Sequence, residues 1–157
     1  MKAVALVDTS VLCELLEVPG KCQSPSTVKA EMKKKVDDDE ALLLPMTAVL
    51  ETGNHIGHAG RDGNGTAARL CAQKLKDMVL AALDGKSPFV PLAFWDVDGL
   101  REWLGEFPDK ANEGVGLGDL TIVKEWKRTC AKNRGRHVYV WSLDQHLSSY
   151  DRPPEVR

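Results

Sequence analysis

The chain has 157 residues and a formal net charge of −2, with 43% hydrophobic and 28% charged residues. That length suits one domain of about 100–150 residues with its own core. No apolar run approaches the roughly 20 residues of a membrane-spanning helix, and the charge balance does not mark a polybasic nucleic-acid binder.

In chain order, the opening residues 2–7 are almost wholly apolar and stop at Asp8-Thr9-Ser10. The pattern reads as a central strand buried on both faces, and it is too short for a signal peptide, so a cytoplasmic location is expected. A helix is expected from about Ser10 to Glu17, ended by Pro19-Gly20. Residues 21–27 read as a polar loop, and Thr27 to Val36 as a helix carrying Lys33-Lys34-Lys35. Asp37-Asp38-Asp39-Glu40 reads as a solvated turn before a second short strand, Ala41 to Pro45. A helix from Met46 to about His55 follows, then a mobile loop, Gly57 to Gly65, with four glycines. Asp62-Gly63-Asn64-Gly65 has part of a calcium-loop pattern but lacks the remaining ligands. His55-x-x-His58 has no third metal ligand in view.

Thr66 to Leu83 reads as an amphipathic helix with Leu70, Leu75, Met78, Val79 and Leu83 among its apolar positions. A strand at 89–92, a short helix from about Asp98 to Phe107, a glycine loop at 114–118 and a helix from Asp119 to Lys132 come next. His137 to Trp141 reads as the last strand, and Leu143 to Tyr150 as a short closing helix. Residues 1–150 are thus read as one domain and 151–157 as a frayed tail. Alternating strands and helices imply an α/β fold with a mainly parallel central sheet and helices on both faces. The cysteines, Cys13, Cys22, Cys71 and Cys130, show no paired spacing and read as reduced, packed side chains.

In an open parallel sheet, ligands bind beyond the carboxyl ends of the strands. Asp8 directly follows the first strand, and Asp144 lies three residues past the last. If these strands are neighbours, the two carboxylates share a crevice. Asp119 sits at the edge of an apolar helix face through Ile122, Val123 and Trp126, where an unpaired charge is costly, and Glu51 follows Leu50 on an early helix. Each acid singly could be a helix cap or a surface residue. Together they suit a hard divalent cation, Mg2+ or Mn2+, because converging carboxylates must protonate or share positive charge. Such a site activates water against a phosphodiester without any nucleophilic side chain. Between Lys124 and Arg136 lies a basic stripe opposed only by Glu125; it could hold a polyanion or serve the C-terminal end of a helix.

These residues resemble a PIN domain, in particular the toxin-type ribonucleases of the VapC class. Val7-Asp8-Thr9-Ser10-Val11-Leu12 resembles the opening strand and first acid, and Leu50-Glu51 the second acid. Leu117-Gly118-Asp119-Leu120-Thr121-Ile122-Val123 resembles the third acid at the start of a late helix, and Trp141-Ser142-Leu143-Asp144 the closing strand with the fourth. The resemblance runs from residue 3 to about 147. It implies a three-layer α/β/α fold and an endoribonuclease, the toxin of a toxin–antitoxin pair. Asp8, Glu51, Asp119 and Asp144 would hold the metal or orient its water. Ser142, and also Thr9 or Ser10, would position those carboxylates. Lys124, Lys127 and Arg128 are candidates for RNA phosphates. A small antitoxin partner and a homodimer are also implied; the Trp95, Trp103 and Phe107 region could supply an apolar contact surface, although core packing is the better reading of most of these side chains.

The sequence departs from the family in having Gln145, His146 and Leu147 after the fourth acid, where many relatives carry another acid or an aromatic. A haloacid-dehalogenase-type phosphatase would need an acid at position 10, which is Ser, and no P-loop pattern is present. Two alternatives stand beside the toxin: a housekeeping RNA-processing nuclease, and a PIN-like module that binds RNA or protein without cutting.

Overall fold

The computed structural model describes residues 2–156. Among them the chain forms a five-stranded sheet in the order β3-β2-β1-β4-β5. The strands are β1 (Val4–Val7), β2 (Ala41–Leu44), β3 (Phe89–Pro91), β4 (Val138–Trp141) and β5 (Asp151–Arg152). All pairings are parallel except β4 with β5. The helices are α1 (Thr9–Leu15), α2 (Pro25–Asp37), α3 (Met46–Arg61), α4 (Gly65–Leu83), α5 (Val97–Asn112), α6 (Leu117–Lys132) and α7 (Gln145–Ser148). The α/β class and the mainly parallel sheet are therefore as the alternating pattern implies. Among the described residues no helix is long and apolar enough to cross a membrane.

The continuous apolar run of β1 follows from its central place, since all four residues are buried. Successive side chains of a strand point to opposite faces. Ala5 and Val7 enter a core cluster with Leu42, Leu44, Phe89 and residues of α1–α4. Val4 and Leu6 enter another with Val138, Val140, Ile122, Val123 and Leu147. A third cluster joins Cys13 and Leu16 to Ile56 and Ala59 of α3 and Ala68 and Cys71 of α4. All four cysteines are free.

Several expectations need correction. The glycine-rich segment after His55 is not a loop: α3 continues through Gly57 and Gly60 to Arg61, and only 62–64 connect it to α4. Burial of Ile56 and Ala59 against α4 outweighs the poor helix propensity of glycine. On α4, Leu70 and Leu83 are 56% and 61% exposed, while Ala68, Cys71 and Ala82 are the buried residues. Leu75, Met78 and Val79 pack against the core as expected, so the inward stripe joins these to small residues, and only Leu70 and Leu83 of the expected positions fall outside it. Finally, the tail expected from residue 151 begins as β5, with its Arg152 guanidinium donating to the carbonyls of Asn133, Arg134 and Arg136. Only a tertiary contact identifies that arginine as an anchor.

Helix α5 also outruns its expected end, passing Pro108 to reach Asn112. Trp103 on this helix is 1% exposed; Trp95 packs edge-on against it at 5.1 Å, and Arg128 lies over its ring at 5.0 Å. Trp103 is therefore core rather than contact surface. The exposed apolar side chains of this region are Phe94, Val97, Leu100 and Leu104.

Candidate active site

The strand order reverses at β1, which pairs with β2 on one side and β4 on the other. Val7 is in register with Trp141, so the chain leaves both strands at the same level. Asp8 and the Ser142–Asp144 segment consequently meet at one sheet end. The α3 and α6 helices bring Glu51 and Asp119 to the same place. A cleft of about 260 Å³ is lined by all four acids, together with Thr9, Ser10 and Lys21.

Asp8 is 4% exposed. It caps α1, its Oδ2 accepting weakly from the Ser10 amide at 3.4 Å and strongly from the Ser10 and Ser142 hydroxyls, each at 2.8 Å. The two serines extend the network: Ser10 Oγ accepts the Leu143 amide at 3.0 Å, and Ser142 Oγ accepts the Asp144 amide at 2.9 Å. Asp144 caps α7, its Oδ1 accepting from the amides of His146 and Leu147. Thr9 donates its hydroxyl to Glu51 Oε2 at 2.9 Å. Capping and a place in the cleft are thus compatible, because each aspartate engages one oxygen and keeps the other without a protein donor among the described residues.

Glu51 lies against the start of α6. A Cβ on Gly118 would collide with its carboxylate, so glycine is needed there for the side chain to occupy this position. The same seam is held by the Thr47 and Thr121 hydroxyls, 2.9 Å apart, and by Thr121 Oγ1 donating to the Gly118 carbonyl at 2.6 Å. Asp119, in the first turn of α6, has its pKa raised, first by burial and then by the negative charge of Asp8, Glu51 and Asp144, with His146 opposing the rise. The acids therefore feel one another.

The donor set fits a hard divalent cation, being carboxylate oxygens at least two of which have no competing protein donor. Among the described residues, however, no three such groups are drawn together into a ready ligand cage. Ligation would have to draw them inward.

The phosphate candidates lie elsewhere. None of Lys124, Lys127 and Arg128 lines the acid cleft. Lys124 is bound to Glu106 at 2.5 Å, and Arg128 pairs with Glu125 at 3.7 Å while covering Trp103. The cleft instead holds Lys21, His55 and Cys13. His55 stands one turn after Glu51 on α3, an i,i+4 spacing that puts both on one face and is readable in the sequence. Burial, Lys21 and His58 lower its pKa, and its Nδ1 is buried without a partner. Lys21 lies in a polar loop and carries no such sequence signal. Comparison with protein-family models, curated proteins and solved structures gave no match to this chain.

Proposed function

We propose that this chain is a divalent-metal-dependent endoribonuclease with the three-layer arrangement of a PIN domain, acting in the cytoplasm as the toxin of a toxin–antitoxin pair. The observation that carries this reading is the convergence of Asp8, Glu51, Asp119 and Asp144 on one cleft at the sheet's switch point. Four acids from four separate segments, with hydroxyls directed at two of them, exceed what helix capping requires.

Bound there, Mg2+ or Mn2+ would supply Lewis acidity and positive charge at the scissile phosphodiester. The chain's own part is to hold and orient. Asp8 is fixed through Oδ2 by Ser10 and Ser142, leaving Oδ1 for the cation. Thr9 sets Glu51, and the short α7 sets Asp144. Water oriented by these carboxylates would form the new bond to phosphorus as the bond to the leaving oxygen breaks, the proton it loses passing to a carboxylate or solvent and the leaving oxygen taking one from solvent. The resemblance also suggests a homodimer and a small antitoxin partner; exposed Leu80, Leu83, Phe94 and Val97 offer apolar surface for such contacts.

The decisive experiment incubates the purified chain with a mixed pool of structured and single-stranded RNAs in magnesium, manganese or EDTA, beside the Asp8→Asn variant. Metal-dependent cutting that disappears in EDTA and in Asp8→Asn is expected. Equal cutting by Asp8→Asn removes the site assignment, and RNA binding without cutting under any condition favours a non-catalytic module.

A further inference from the structure

The acid cleft continues into a second one, of about 400 Å³, and Lys21 lines both. Ser10 and Asp144 are also shared, while Gln23 and Leu143 belong to the second cleft. Lys21 thus stands at the seam between the acids and an open groove.

Its position is built rather than incidental. Val18, three residues before it, is fully buried, and the Lys21 amide donates to the Val18 carbonyl at 3.0 Å. Gly20 takes a φ of +75°, which suits glycine and turns the chain at this point. Beyond Lys21, the buried Glu14 carboxylate accepts the amides of Gln23 and Ser24 at 2.9 and 3.0 Å. A carboxylate only 4% exposed is costly unless hydrogen-bonded, and here its bonds clamp the loop. The loop is held on both sides of the lysine.

Lys21 has no carboxylate partner within ion-pair distance among the described residues, whereas nearby Lys29 and Lys74 both pair with Glu17. Its charge is felt at His55 and Cys13, which line the same cleft. A polyanion approaching four carboxylates needs compensating positive charge, and Lys21 is the cation the cleft provides. Resting on the ribonuclease reading, we propose that Lys21 binds the RNA phosphate flanking the scissile one, so that the single strand runs from the acid cleft into the adjoining groove.

The test compares Lys21→Gln and Lys21→Arg in the active chain and in the Asp8→Asn background. Binding of a fluorescein-labelled single-stranded RNA 20-mer of random sequence is followed in the Asp8→Asn chain from low to high salt. Lys21→Gln should flatten the dependence of log affinity on log salt by about 0.7, the contribution of one single-strand phosphate contact. In the active chain it should raise KM with kcat nearly unchanged, and Lys21→Arg should restore both readouts. A lysine that merely offsets the acids would leave the salt slope intact and shift the magnesium requirement; that result overturns the proposal. If Lys21→Gln changes neither slope nor KM while the active chain still cuts and Asp8→Asn does not, the lysine assignment falls and the nuclease reading stands. If the unaltered chain neither binds nor cuts RNA, both fall together.

Discussion

Asp8 divides its two oxygens between scaffold and cleft. Oδ2 takes both serine hydroxyls, so the carboxylate can present Oδ1 without rotating. Removing a group that orients a metal-binding carboxylate commonly costs about 10–100-fold in affinity or activity. Ser142→Ala and Ser10→Ala should each lower cleavage by about that factor, with the loss partly recovered at high magnesium. A magnesium titration of initial rates checks this, and unchanged rates at low magnesium would show that the hydroxyls only brace the backbone. Cys13 offers a different residue-scale test. Burial pushes its thiol up to about 11, so little thiolate exists at neutral pH. Iodoacetamide followed by mass spectrometry should label Cys13 only after unfolding, and should label the half-buried Cys22 before it. At this scale Asp8, Asp119 and Asp144 are legible because each follows a recognisable strand or opens a helix, whereas Glu51, inside α3, is legible only through the family resemblance. Lys21 is not, because its role depends on Glu14 reaching nine and ten residues ahead to clamp a loop that has no pattern of its own.

The seam between α3 and α6 is where elements decide the site. Gly118 lies in the first turn of α6, and an added methyl there meets only the Glu51 carboxylate, not backbone. Alanine is a better helix former than glycine by about 1 kcal/mol. Gly118→Ala should therefore fold as stably as the parent yet displace Glu51 and lower cleavage at least about tenfold, since small misplacements of catalytic groups cost rate steeply. Gly105→Ala is the control, because that position on α5 has open space around it and should gain stability without losing activity. Equal activity in the two variants would mean that Glu51 has another workable position. The sequence revealed elements of this kind unevenly. Strands β1 and β2 announced themselves as apolar runs bounded by polar turns, and β1 was placed as a central strand on that ground. The second half of α3 has the local pattern of a loop because its glycines weigh against a helix, whereas the burial of Ile56 and Ala59 against α4 is a long-range gain no local pattern records.

For the molecule as a whole, the acid cluster couples stability to pH and to cations. The pKa of Asp119 is raised above its ordinary value of 3.8 by burial and by three neighbouring carboxylates. A raised carboxylate pKa means that the ionised form is less welcome in the folded than in the unfolded chain. Below the unfolded value the residue is protonated in both states and costs nothing. As pH rises through the folded value the penalty develops, and at neutral pH it is fully present. Asp119→Asn should therefore raise the metal-free melting temperature at pH 7.5 and change it much less near pH 3.5. If the cleft binds magnesium, the unaltered chain should gain stability on its addition at pH 7.5, by about 2.7 kcal/mol when the ion is at 100 times its Kd. That gain should shrink as pH falls and the carboxylates protonate, and it should largely vanish in Asp119→Asn. Calorimetric melts with magnesium and with EDTA at the two pH values provide the measurement. A magnesium gain that persists in both Asp119→Asn and Asp8→Asn would place the ion outside this cleft, because each substitution removes a charge that the cleft would use to hold it.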